Sequence, residues 1–190
     1  MKKYFLLGLI IFSGFLLTGC KKQTETGGGS STSSGSGGKG QITAKEAYKI
    51  SLPEAKKFSS DSYLVGLNTT SIQENGQSRT WYALFYSAAK ATNYKVNVVE
   101  GKITGTSDTN KKKQNQIPED WIDSDQVAKI AIPKCGEMTE KDFFIDLDTN
   151  RDKAPIWSFN CKVGENKTLY IDLNALTGEY LQTRKAGIGW

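Results

Sequence analysis

Histidine is absent from the 190-residue chain. That one absence removes the commonest general base, the commonest metal ligand and the usual pH switch together. Nothing replaces it. No G-x-S-x-G elbow is present, no glycine loop stands between a strand and a helix to cradle phosphate, and no cysteine or acid spacing suits a metal. The expectation is therefore no catalysis, no cofactor and no metal. A strong charge of one sign is missing too. Lys and Arg number 25 against 20 Asp and Glu, a net charge of +5, and the signs are interspersed except at Lys111-Lys112-Lys113. A nucleic-acid groove needs a stronger basic stripe, so no nucleic-acid partner is expected. There is also no apolar run of membrane-spanning length: the longest, Tyr4 to Leu17, falls short of the roughly 20 residues a helix needs to cross.

What is present begins with that run. It follows the basic Met1-Lys2-Lys3 and ends in Leu17-Thr18-Gly19-Cys20, the layout of an export signal. The last four residues resemble the lipobox of bacterial lipoproteins, an aliphatic residue and two small ones before a cysteine. The resemblance implies that residues 1–19 are removed and that the Cys20 thiol carries a diacylglyceryl group. Two or three acyl chains hold a soluble domain at a membrane where one does so only marginally. The cleaved chain would lose Lys2 and Lys3 and carry a net charge of +3. Residues 20–40 then form a Gly/Ser/Thr-rich tether, too poor in apolar groups to offset the entropy of ordering.

Residues 41–190 contain an internal repeat. Ile42, Lys49, Ile50 and Pro53 recur as Ile122, Lys129, Ile130 and Pro133, and Leu67 and Thr69 as Leu147 and Thr149. Trp81 matches Trp157, Tyr94 matches Tyr170, and Gly101 matches Gly178. Self-similarity of this kind sets the architecture. Each copy reads as a helix closed by Pro53 or Pro133, then three strands and a short fourth. The first helix opens at Ile42 or Thr43, and Ser124 caps the second. The strands are expected over Ser62–Asn68 and Asp142–Leu147, Arg79–Tyr86 and Ile156–Val163, Tyr94–Val99 and Thr168–Leu173, then Lys102–Ile103 and Glu179–Gln182. Trp157, Phe159, Cys161 and Val163 alternate with Ser158, Asn160 and Lys162, as a half-buried strand does.

This order resembles the PepSY domain and its relatives. The best-matching stretch is Leu169-Tyr-Ile-Asp-Leu-Asn-Ala-Leu-Thr-Gly-Glu-Tyr-Leu181, and Ile42-Thr-Ala-Lys-Glu-Ala resembles that family's helix start. Asn174 stands where the family usually has Asp. The resemblance implies an α+β fold of two tandem helix-plus-antiparallel-sheet repeats, over 41–106 and 120–190 with a linker at 107–119, the sheets separate or joined. It also implies a non-catalytic envelope protein that binds another protein, such as a protease inhibitor or regulator. A structural lipoprotein organising surface components is the alternative.

Two further features carry chemistry. Asp146-Leu-Asp-Thr-Asn-Arg-Asp152 faintly resembles a calcium loop, but Arg151 occupies the glycine position, and a polar strand end is the favoured reading. Cys135 follows Pro133 past the second helix, and Cys161 shares an inward strand face with Trp157; their counterparts in the first copy are Ala55 and Phe85. A helix-to-sheet contact there would allow a disulfide in an oxidising compartment. Two buried free thiols are the alternative.

Overall fold

The structure, a computed structural model, describes residues 38–109, 113–138, 143–150, 152–163 and 167–186. Cys20 and nearly all of the tether lie outside them, as do Lys111 and Lys112. The order is α1 (Ala44–Phe58), β1 (Tyr63–Ile72), β2 (Thr80–Ser87), β3 (Thr92–Val99), β4 (Lys102–Thr109), α2 (Ser124–Ala131), β5 (Phe143–Thr149), β6 (Pro155–Lys162), β7 (Thr168–Asn174) and β8 (Tyr180–Ala186), with a short 3-10 turn at Ile132–Lys134.

Local chemistry explains both helix starts. Thr43 caps α1 in a reciprocal box: its hydroxyl accepts from the Glu46 N–H and the Glu46 carboxylate from the Thr43 N–H. Asp123, not Ser124, caps α2, again in a box, with Gln126. Pro133 lies in the 3-10 turn just after α2. Pro53, by contrast, does not stop α1, which runs five residues past it. The buried face of Ala44, Ala47, Tyr48, Ser51 and Ala55 continues through the proline, so packing on the sheet outweighs the lost hydrogen bond.

The tandem arrangement is the main correction. The chain does not form two helix-plus-sheet repeats. Among the described residues, eight strands form a single antiparallel sheet in the order β4-β3-β2-β1-β5-β6-β7-β8, accompanied by two α-helices. The join is β1 on β5, where Leu67 lies directly opposite Leu147, its match in the sequence repeat. The physical reason is that a unit of some 65 residues with one helix buries too little surface to be stable alone, and each would leave a long strand edge unpaired. Pairing β1 with β5 covers both edges. The helix starts are also tied together. The Ala44 N–H donates to Ser124 Oγ and the Lys45 N–H to Asp123 Oδ1, both at 2.9 Å, and Ser124 Oγ donates to the Gly76 carbonyl at 2.6 Å. Gly76 has φ +77°, and an added Cβ would lie 2.3 Å from Asp125 Cα, so the close approach requires glycine.

One core fills the space between the helices and one face of the sheet. The matched tryptophans occupy matching strand positions and are fully buried. Trp81 Nε1 donates to the Ile42 carbonyl at 3.0 Å, and Trp157 Nε1 to the Ile122 carbonyl at 2.9 Å. Trp121 packs edge-on against both Trp157 and Tyr48, ring centres 5.7 and 6.0 Å away, and so links the two helices' share of the core. Two details depart from the sequence reading. The fourth strands are full length, and β4 takes in Ser107–Thr109. Tyr94 and Tyr170 are not equivalent. Tyr94 lies opposite Phe85 in the core, stacked on Phe58 at 4.2 Å, whereas Tyr170 lies opposite Asn160 on the other face. A slip of one residue exchanges the faces.

Candidate functional site

Strand alternation sends every second side chain to the face that carries no helix. Registers across the second half of the sheet place Phe144, Asn160, Tyr170 and Arg184 in one row, each directly opposite the next. Phe144, Asn160 and Tyr170, with Thr70, Lys162 and Thr168, line a groove of about 450 Å³. A smaller hollow of about 340 Å³ shares Thr70 and continues over β1 and β2 past Arg79 and Tyr82.

Asn160 is 7% exposed, and neither its Nδ2 nor its Oδ1 has a hydrogen-bond partner; the same holds for Asn93 of β3, fully buried on the same face. What sets Asn160 apart is that it lines the groove. A buried polar group without a partner costs roughly 1–3 kcal/mol, and native folds tolerate few. The position does not demand it: counting from the matched tryptophans, the first half has Leu84 there. The fold therefore accommodates an apolar side chain at this place in the sheet, yet holds an unpaired carboxamide in a groove.

The neighbouring row is fully satisfied. Asp172, 1% exposed, accepts from Ser158 Oγ at 2.8 Å, from Gln182 Nε2 at 2.9 Å, and from Arg184 through Nε at 2.6 Å and Nη2 at 2.9 Å. Burial alone would raise the Asp172 carboxyl, but the hydrogen bonds from Arg184, Ser158 and Gln182 outweigh it and hold the group below its ordinary value. The same contacts raise the Arg184 guanidinium. Arg184 also lies over the Tyr170 ring, 4.9 Å from its centre. Asp172 thus fixes Arg184, and Arg184 fixes one wall of the groove. This cluster is a structural brace rather than an acid–base pair, since every acceptor direction of the carboxylate is engaged.

Among the residues singled out by sequence, Cys20 lies outside the described residues. Cys135 and Cys161 stand at disulfide distance, their Cα atoms 5.9 Å apart, on the covered face and back-to-back with the groove, because Cys161 is the strand neighbour of Asn160. In the Asp146–Asp152 segment, Asn150 Oδ1 accepts from the Asp152 and Ala154 N–H groups, which makes it a turn cap. Among the described residues no group of His, Cys, Asp or Glu is placed to hold a metal ion. Sequence reasoning did not single out Asn160, Phe144 or Tyr170. Alternation put Asn160 on the outward face, but an outward polar residue ordinarily meets water, and nothing in the sequence says that its neighbours close over it.

No family model matches the chain, and no curated protein matches it. Its fold is similar to the crystal structure of a candidate lipoprotein from Clostridium difficile 630. The TM-score is 0.54 at 13% identity, covering 73% of this chain and 92% of the other. At that identity the likeness concerns the fold.

Proposed function

We propose that this chain is a non-catalytic protein-binding lipoprotein of the bacterial cell envelope. Diacylglyceryl on Cys20 anchors it, and the helix-free face of the sheet is its binding surface. The single observation that carries the binding reading is the unpaired Asn160 carboxamide in a groove between two aromatic rings. The anchor reading is supported by Leu17-Thr18-Gly19-Cys20 after an export-type run and by the fold shared with a candidate lipoprotein. The PepSY-type role of inhibiting or regulating a protease fits the same surface, and rests on the resemblance of residues 169–181 and of the helix start at residues 42–47.

A photo-crosslinker placed at Thr168, on the groove, and another at Lys129, on α2, test the binding reading in cells. A discrete protein adduct from Thr168 alone is expected. Adducts from both sites alike, or from neither, contradict it. Palmitate labelling tests the anchor: wild-type chain should carry label and fractionate with membranes, and Cys20→Ala should do neither. Sustained hydrolysis of ester, peptide or glycoside substrates by repurified protein would contradict the non-catalytic reading.

A further inference from the structure

We propose that β8 receives an extended segment of the protein partner, which adds to the eight-stranded sheet as one more antiparallel strand. This rests on the protein-binding reading above and names how the partner is held.

The bare main chain supplies the first argument. β8 ends the sheet, and all seven of its residues, Tyr180 to Ala186, are exposed. Its inner side pairs with β7, in unbroken register from Gln182 to Ala186. On the outer side every second residue presents its N–H and C=O to solvent, a template for a further strand. An extended main chain repeats donors and acceptors at that same spacing, and a sugar or a nucleic acid does not.

The side chains supply the second. Sheets guard an edge with proline, with charge or with a bulge. β8 contains no proline. Its Arg184 is drawn back across the sheet onto Asp172, at 2.6 and 2.9 Å. Its bulge, at Leu181, stands at the start of the strand and leaves Gln182 to Ala186 in register. Among the described residues the exposed large apolar side chains all lie on the two edge strands: Ile103 on β4, Tyr180 and Leu181 on β8. Lys185 is the charge that remains, and it selects rather than blocks. It has no partner of its own, so an acidic residue is favoured opposite it, with an apolar one four positions further on, beside Leu181.

Position distinguishes β8 from the other edge. The chain enters the fold beside β4, where an added Cβ on Gly40 would lie 2.9 Å from Glu100 Cβ in the turn that opens that strand. Gly105 also leaves the middle of β4 without a side chain to pack on a neighbour. β8 borders the groove instead. Arg184 lies opposite Tyr170, and Ala186 opposite Thr168, so a strand on β8 continues the same open face.

The test uses the full-length chain in detergent micelles and a dye-labelled, acetylated and amidated heptapeptide, Thr-Glu-Thr-Val-Thr-Val-Thr, read by fluorescence anisotropy against empty micelles. The peptide should bind. Two further versions carry N-methyl groups, one on the odd and one on the even residues. Only alternate N–H groups of a strand face its neighbour, so one version should lose about tenfold in affinity and the other should not. Lys185→Glu, with unchanged thermal unfolding, should transfer preference to a peptide with lysine in place of glutamate. Ile103→Lys on β4 should leave binding unchanged. No binding at millimolar concentration, the same response to both N-methylated versions, or loss of binding in Ile103→Lys would overturn the proposal. In cells, a photo-crosslinker at Lys185 should give the same protein adduct as one at Thr168. An adduct from Thr168 without one from Lys185 leaves the protein-binding reading standing and this inference alone falls. An adduct of Lys185 at twice the chain's own mass would make the occupant a second copy and overturn it as well.

Discussion

The two halves of the sheet are alike where they face the helices and unlike where they face away. On the covered side, Trp81 and Trp157 are equally buried and donate to matching carbonyls, Ile42 and Ile122. On the open side, Leu84 in the first half answers to Asn160 in the second, and the braced Asp172–Arg184 pair lies only in the second. Packing constrains the covered side, because a change of even one methylene is felt in a close-packed core. The open side is free to differ. An unpaired buried carboxamide occurs in both halves, at Asn93 and at Asn160, and Asn160 is the one that lines the groove described above, which puts the candidate site on the second half of the open face.

The largest effect should come from the shared part. Trp81→Ala and Trp157→Ala should each cost about 3–5 kcal/mol, measured by urea unfolding. Losses differing by more than about 2 kcal/mol would show that the two positions are not equivalent in energy. Next comes a feature the first half lacks. A bridge between Cys135 and Cys161 closes a loop of 26 residues and should contribute about 3 kcal/mol in the chain-entropy picture. A thiol count on unfolded, unreduced protein checks it: with Cys20 excluded, the expected count is zero, and two free thiols would mean that the cysteines are only neighbours.

A smaller effect belongs to the brace. Arg184→Ala leaves the buried Asp172 carboxylate short of its strongest donor. Arg184 is about half exposed, so water replaces part of the loss, and about 2 kcal/mol is expected at neutral pH. The pH dependence has a definite sign. Asp172 is held below its ordinary value when folded. Its contribution is therefore present above the unfolded carboxyl value of about 4 and is lost as pH falls through the folded one. The difference between wild type and Arg184→Ala should shrink on acidification below about pH 4. A difference that grows in acid would contradict the brace.

Much of this was legible in sequence. Trp pairs and strand alternation follow from periodicity and place the first three strands of each half closely, while the cap of α2 falls one residue earlier than expected, at Asp123. Three things were not. Pro53 reads as a stop, yet the buried face of α1 carries the helix past it. Tyr94 and Tyr170 match as letters, yet a single-residue slip in β7 relative to β3 sets them on opposite faces. The pairing of β1 with β5 is a long-range choice made by edge burial, which local pattern does not encode. The candidate site lies in the same blind spot. Asn160 alternates as a solvated residue should, and only the strands on either side turn it into a buried one.

The claim that Asn160 is held for binding rather than for folding is tested most directly by the stability of Asn160→Leu, which installs the side chain found at Leu84. Equilibrium urea unfolding of the full-length protein should show the variant more stable than wild type by about 1 kcal/mol, because an unpaired buried amide is replaced by apolar surface. A loss of about 1 kcal/mol or more would show that the carboxamide supports the fold, and would contradict the account.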